Sequence, residues 1–164
     1  MLVNIRRIAH AALLSISALT IGGCWPASEV DLRQQFYNHK KAIQEILEMQ
    51  RQDSKVVRIA PDFTRLENDW NWPRKEIGFS EDRWNAYRAL FREAGITDGI
   101  QNDDGYVFYF VSDEGIVGSG RSRGFVFTNT APKNIVKGFD ACPATEEPCY
   151  VALEGHWYLF TWST

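Results

Sequence analysis

A short run of the sequence has the spacing of a serine-hydrolase motif. Gly120-Arg121-Ser122-Arg123-Gly124 matches G-x-S-x-G, and Asp140 and His156 follow in the order of one known type of catalytic triad. In such a triad the histidine takes the proton of the serine, and the acid orients the histidine. The serine must lie on a turn between a strand and a helix. Here Phe125-Val126-Phe127 predicts another strand, so we interpret the run as a Gly/Ser/Arg turn between two strands.

Two pairs of side chains are candidates for binding a partner. Arg121 and Arg123 alternate in the sequence, so both guanidinium groups can point the same way and hold an anion. Trp70 and Trp72 lie among charged residues in a stretch without a steady period. Either these indoles belong to the core, or they form a contact surface of the kind in which tryptophan is enriched.

The sequence predicts no metal site and no cofactor. Asn102-Asp103-Asp104-Gly105 resembles part of a calcium loop, but aligning its glycine puts Ile100 and Val111 at ligand positions, which excludes an EF-hand. A turn with one acidic edge is the remaining interpretation. His39 and His156 have no metal-binding partner at a recognisable spacing. A catalytic pair of carboxylates, as in glycosidases, cannot be selected from 21 acidic residues.

Cys142 and Cys149 are separated by Pro143-Ala144-Thr145-Glu146-Glu147-Pro148. Six intervening residues match neither a C-x-x-C redox motif nor the usual zinc spacing. In an oxidising compartment two nearby thiols pair, so we predict a structural disulfide between them.

The N-terminal segment has the layout of a secretory signal. Arg6 and Arg7 precede an uncharged run over residues 8–21, which is shorter than the roughly 20 apolar residues of a membrane-spanning helix. The run ends in Ile21-Gly22-Gly23-Cys24. This order of basic residues, apolar run, small residues and cysteine resembles the lipobox of bacterial lipoproteins.

That resemblance implies cleavage before Cys24 and acylation of this cysteine. Residues 1–23 would then be the signal peptide, residues 24–28 a lipidated tether, and residues 29–164 a single globular domain. Several acyl chains are needed because one chain anchors a protein only marginally. Position 25 is Trp rather than the Asp associated with inner-membrane retention, so in a Gram-negative organism the resemblance favours the outer membrane, facing the periplasm.

Charge and composition exclude one class of function. The signal contributes only basic charges, so the remaining chain carries a net charge of about −5 and no basic cluster. We therefore expect no nucleic-acid binding. The six Trp residues all follow Cys24, and an aromatic-rich domain either buries such rings or presents some to a partner.

Helical periodicity marks two segments. Apolar residues recur at helical spacing from Glu29 to Arg51, after a candidate N-cap at Ser28. The second helix is predicted to start after Ser80, where Glu81 and Asp82 suit the helix dipole, and to stop at Gly95.

Strand signals dominate the C-terminal half, after a short strand at 56–59. Residues 106–111 form a predicted strand with bulk on both faces, and Asp113-Glu114-Gly115 predicts a tight turn before 116–119. Further strands are predicted at 124–128 and near Val136, with a last hairpin around Glu154-Gly155. The fold class is therefore α+β: two N-terminal helices packed on an antiparallel meander of four to six strands.

The sequence predicts a membrane-anchored envelope lipoprotein with a non-enzymatic, protein-binding domain. An inhibitor of the immunity type and an accessory subunit of an envelope complex both fit, and an acidic domain suits a basic partner. The alternatives are a small hydrolase acting on cell wall or lipid, and a purely structural lipoprotein.

Overall fold

Helices cover one face of a large, mainly antiparallel sheet. The computed structural model describes residues 27–67, 69–116, 119–143, 145 and 147–163. The helices of this part of the chain are α1 (Glu29–Asn38), α2 (Lys40–Gln52) and α3 (Glu81–Ala94), with short 3-10 helices at Lys75–Ile77 and Phe139–Ala141. Its strands are β1 (Arg58–Ile59), β2 (Thr64–Leu66), β3 (Asp69–Asn71), β4 (Gly99–Asp103), β5 (Tyr106–Ile116), β6 (Ser119–Thr128), β7 (Ile135–Val136), β8 (Cys149–Glu154) and β9 (Trp157–Ser163).

The α+β class predicted from the sequence is correct in outline, but the sheet is larger than expected. Nine strands among the described residues form one sheet in the order β3-β2-β1-β4-β5-β6-β9-β8-β7. The prediction of four to six strands was too low because β1, β2, β3 and β7 have only two or three residues each. The sheet also departs from a simple meander, since β7 pairs with β8 in parallel.

The first predicted helix is two helices that meet at His39. Ser28 caps α1 as predicted, in a capping box with Asp31, and α1 ends where His39 leaves helical geometry at φ −117°. The two segments pack on different partners, α1 on β6 and β9 and α2 mainly on α3. No glycine or proline lies at the break.

The helix predicted after Ser80 is confirmed as α3. The Ser80 hydroxyl accepts a hydrogen bond from the Arg83 amide, 3.2 Å away, and Gly95 ends the helix in the left-handed conformation at φ 66°. These are the N-cap and C-cap chemistries expected from the two residue types.

The β5–β6 hairpin is longer than predicted. Residues 113–115 lie inside β5, paired with residues 120–122 of β6, so the tight turn predicted there was wrong. The G-x-S-x-G run likewise lies within β6 rather than in a turn. A shift in register after Phe110 brings the Gly124 backbone against β5, where a Cβ atom would lie 1.8 Å from the Tyr109 oxygen. The register shift and this close approach explain the second glycine without catalysis.

The two faces of the sheet carry separate apolar clusters. The first packs strand residues against all three helices, and its largest fully buried side chains are Phe36, Phe79, Tyr87, Phe91, Tyr109 and Phe125. The second lies on the opposite face and comprises Phe108, Phe110, Val126, Tyr150, Tyr158 and Phe160, with Tyr106 and Trp162 packed against it. We call this second side the open face, because the cluster on it contains strand residues and no helical ones among those described.

Candidate functional site

Trp72 is the large aromatic residue most exposed among the described residues, at 59% of its full surface. It directly follows β3, the edge strand of the sheet. Its indole packs on Trp84 of α3 with ring centroids 5.1 Å apart. An exposed tryptophan that rests on the helical layer has the residue type and the setting of an interaction anchor.

Trp84 forms a fixed base beneath Trp72. It is buried, and its Nε1 donates a hydrogen bond to the Ala60 oxygen at 2.8 Å. The Arg88 guanidinium carbon lies 3.5 Å from the centroid of the Trp84 ring, while Arg88 Nε donates to the Pro61 oxygen at 2.6 Å. Trp72, Trp84 and Arg88 therefore form a layered surface, which we call the Trp72 layer.

Trp70 lies within β3, opposite Arg65 in the β2–β3 ladder. The structure describes its backbone and not its side chain. Its predicted role in binding stays a prediction.

Arg121 and Arg123 line one groove of about 550 Å³ beside the cysteine pair, on the helix-covered face. Arg121 Nε lies 3.4 Å from Ser163 Oγ, and Arg123 Nη1 donates to the Ala27 oxygen at 2.9 Å. The Arg123 guanidinium also lies over the Phe139 ring, 5.2 Å from its centroid. The predicted common direction of the two arginines is thus consistent with the groove, but Arg123 also joins the sheet to the start of α1.

The predicted disulfide is confirmed. The sulfur atoms of Cys142 and Cys149 lie 2.17 Å apart, and the Cα atoms 5.9 Å apart. Cys149 is buried at the start of β8, opposite Thr161 of β9. The bridge therefore ties the loop before β8 to the sheet and forms one wall of the arginine groove.

A second cavity of about 330 Å³ lies on the open face. Its floor is aromatic, formed by Tyr106, Phe108, Tyr150 and Trp162. The rim carries three acidic side chains, Asp103, Asp104 and Glu147, and the basic side chain of Lys133. Because adjacent residues of a strand point to opposite faces, Trp162 lies on the other side of the sheet from Thr161 and the arginine groove. We call this cavity the aromatic pocket.

The acidic run that resembles part of a calcium loop is the turn between β4 and β5. Asp104 and Gly105 both have positive φ, at 43° and 84°, as in a tight two-residue hairpin turn. This arrangement confirms the expected turn with an acidic edge, and it places Asp103 and Asp104 at the rim of the aromatic pocket.

The aromatic pocket was not predicted from the sequence. The sequence feature that indicates it is the presence of large apolar side chains on both faces of residues 106–111, which requires a second apolar layer on the other side of the strand. Which aromatic residues from β8 and β9 join that layer depends on the pairing of β6 with β9, and this pairing is not readable from the local sequence.

The triad-like residues do not form a catalytic geometry. Ser122 Oγ donates to Asp113 Oδ1 at 2.5 Å. His156 is exposed in the turn between β8 and β9, with its ring 6.0 Å from that of Phe127. Ser122 and Phe127 are five residues apart along β6, which corresponds to about 17 Å of strand. His156 therefore cannot act as the base for Ser122.

The candidate binding residues lie in separate places. Trp72 adjoins β3 and the arginines lie in β6, five strand positions apart in the sheet, or about 24 Å at the usual strand spacing. Cys24 and the proposed signal fall outside the described residues. In the part of the chain that the structure describes, His, Cys, Asp and Glu form no group of three suited to a metal ion. The helices of the same part are too short or too polar to cross a membrane.

Compared with known proteins, the chain matches no protein-family model, and it has no match among the curated proteins or the solved structures.

Proposed function

We propose that the protein is an envelope lipoprotein, anchored through acylated Cys24, whose folded domain binds another protein and catalyses no reaction. The observation that carries the binding proposal is the Trp72 layer. A tryptophan exposed to 59% of its surface rests on a buried, hydrogen-bonded indole that itself carries an arginine. Trp and Arg are, with Tyr, the residue types most enriched among interface residues with large binding contributions.

The layer is arranged in advance for binding. Trp84 is fixed by its hydrogen bond to Ala60, and Arg88 by its bonds to Pro61 and Asn85. Side chains that are already fixed lose less conformational freedom when a partner binds, so more of the contact energy appears as affinity. A loosely placed exposed tryptophan would lack this advantage.

The proposed anchor leaves this surface accessible. Ala27 is held at β5 and β6, with its amide 3.3 Å from Ser112 Oγ and its oxygen bound to Arg123. Cys24 is three residues away, a reach of at most about 11 Å. An anchor at Cys24 would therefore hold the domain near β6, about 24 Å across the sheet from the strand that precedes Trp72. For a Gram-negative organism we propose an outer-membrane location, facing the periplasm.

Two biological settings fit the proposal: an immunity-type inhibitor that shields the cell from a toxin, and an accessory subunit of an envelope complex. Both need an anchored domain with an exposed, rigid contact surface. The hydrolase alternative loses its one triad-like set, because Ser122 and His156 are far apart along the sheet.

Affinity capture with a matched control tests the binding proposal. The full chain with a C-terminal tag is extracted from membranes in mild detergent, as wild type, Trp72→Ala and Tyr37→Ala. Tyr37 is the control because it is an exposed aromatic residue, at 51%, on the helix α1. We expect a stoichiometric partner with wild type and Tyr37→Ala, and roughly 30-fold weaker binding by Trp72→Ala, the effect of losing about 2 kcal/mol.

Thermal unfolding of the three proteins separates binding from folding. Since Trp72 is mostly exposed, Trp72→Ala should unfold at nearly the wild-type temperature. Equal capture by wild type and a folded Trp72→Ala would overturn the proposed surface.

A further inference from the structure

The aromatic pocket on the open face has the composition of a site for an organic cation. Four rings line it, two of them largely buried (Phe108 and Tyr150) and two half-buried (Tyr106 and Trp162). Its volume of about 330 Å³ is at the lower end of the ~300–1,000 Å³ range of ligand sites. This space takes one long side chain or a small ligand, and it is too small for a large cofactor.

The rings form one continuous layer. Tyr106 stacks on Phe108 with centroids 5.9 Å apart and planes 17° apart, and it stacks on Tyr150 at 6.1 Å. Trp162 packs against Phe108 at 6.2 Å. The face of an aromatic ring carries negative electrostatic potential and attracts a cation placed within about 6 Å of its centroid. Indole and phenol rings are well suited to this contact.

Negative charge surrounds the same opening. Asp103 and Asp104 stand on the β4–β5 turn, and Glu147 reaches it from the opposite side, where Glu147 Oε2 accepts a hydrogen bond from Asn134 at 2.9 Å. Lys133 is the one basic residue among the described residues that line the cavity. The rim therefore carries a net negative charge.

The electrostatic effect of the rim reaches the pocket floor. Burial raises the pKa of the Tyr150 phenol, and the charges of Asp103 and Glu147 raise this pKa further. These carboxylates are thus close enough to act on a group bound against the ring of Tyr150. They would stabilise a cation there and would repel an anion.

We propose that the aromatic pocket binds the cationic side chain, lysine or arginine, of a basic segment from a partner protein. Charge complementarity selects this occupant: aromatic faces and three carboxylates both favour a positive group, and the apolar floor accepts its aliphatic stem. An acidic domain attracts a basic partner at long range as well.

This site is separate from the Trp72 layer. Trp72 packs on Trp84, which is a residue of α3, so it lies on the helix-covered side of the sheet. The aromatic pocket lies on the open face, built from β5, β8 and β9. The Trp72 layer and the aromatic pocket can therefore be tested independently, by substitutions of different residues.

The test uses the full chain in detergent and a pair of probes of similar shape, one cationic and one neutral. N-acetyl-arginine methylamide is titrated while the amide shifts of Asp104 and Gly105 and the indole N–H shift of Trp162 are followed by NMR. N-acetyl-citrulline methylamide is the neutral control of nearly the same shape. We expect saturable shifts with the arginine probe, weaker binding in high salt, and at least about fivefold weaker binding of the citrulline probe.

Paired variants locate the effect. Asp103→Asn/Asp104→Asn removes two rim charges, and asparagine tolerates the positive φ of position 104. This variant should bind the arginine probe at least about fivefold less tightly, whereas Lys133→Gln should bind it more tightly. The control Glu45→Gln/Glu93→Gln makes the same change of net charge at exposed positions of α2 and α3 and should bind as wild type does.

Several results would overturn the proposal. Equal binding of the two probes would show that charge is not recognised, and the absence of any saturable shift would show that no site exists. Unchanged affinity in both the aspartate variant and Lys133→Gln would show that the rim plays no part. A Gly-Arg-Gly peptide binding no better than arginine methylamide, with tetramethylammonium binding best, would indicate a site for small quaternary amines rather than for a protein segment.

Discussion

Reduction of the disulfide between Cys142 and Cys149 should destabilise the fold, by an amount that depends on the length of the loop that the disulfide closes. The bridge encloses eight residues, 142 to 149. In the chain-entropy model, opening a loop of this length lowers the free energy of unfolding by about 2.5 kcal/mol at 25 °C. Stabilities of small domains are about 5–15 kcal/mol, so this is a substantial share.

Opening the disulfide should also lower the melting temperature, Tm. Unfolding entropy is about 2.1 cal/mol/K per residue, and the described domain spans residues 27 to 163. A loss of about 2.5 kcal/mol then lowers Tm by about 9 °C. Cys149 is buried opposite Thr161, so the double variant Cys142→Ala/Cys149→Ala should lose at least as much, because it also loses buried sulfur contacts.

Urea unfolding of the full chain, followed by circular dichroism, measures this prediction. The oxidised protein is compared with the reduced and alkylated protein, and thermal melts are recorded in parallel. A difference in unfolding free energy below about 0.5 kcal/mol would show that the short loop is not a significant constraint on the unfolded chain.

Three further changes have defined outcomes. Gly124→Ala should lower the free energy of unfolding by about 2–3 kcal/mol, because the new Cβ would lie 1.8 Å from the Tyr109 oxygen. Gly155→Ala should lower it by only about 1 kcal/mol, because Gly155 has φ 55° but open space around it. Equal losses of Tm in the two variants would show that the close approach at Gly124 is not costly. Burial raises the pKa of both Tyr87 and Tyr109, so the stabilisation from their neutral phenols is complete below the unfolded pKa of about 10 and is lost as pH rises above it. Absorbance at 295 nm should then show that the phenolates of these two tyrosines form only as the protein unfolds. Titration of every tyrosine near pH 10 in a protein that stays folded would contradict this prediction. Cys24→Ala should remove the protein from the acylated membrane fraction, as measured by labelling with a fatty-acid analogue, and unchanged labelling would exclude Cys24 as the lipidated residue.

Local chemistry predicted some elements closely. Ser80 and Gly95 mark the ends of α3 because capping depends on residues only three or four positions apart. The same holds for the Asp104-Gly105 turn and for the hairpin around Glu154-Gly155. In each case the signal and the structure lie within one turn or one short loop.

Other features depend on contacts between distant segments. The break at His39 arises where α1 leaves β6 and β9 and α2 meets α3, and no residue at the break indicates it. Asp113 and Gly115 lie in a strand because β6 continues opposite them, although both are typical turn residues. The aromatic pocket likewise requires residues from β5, β8 and β9 that only the sheet order brings together.

The most direct test of the central claim, an anchored domain that binds a protein through Trp72, is crosslinking in intact cells. A photoreactive phenylalanine analogue is placed at position 72 and, as control, at position 37, in the full chain with Cys24 unchanged. We expect a discrete crosslinked partner from position 72, in the membrane fraction, and no such band from position 37. An identical pattern from both positions, or no adduct from position 72 in a folded protein, would show that the protein does not bind a partner through Trp72.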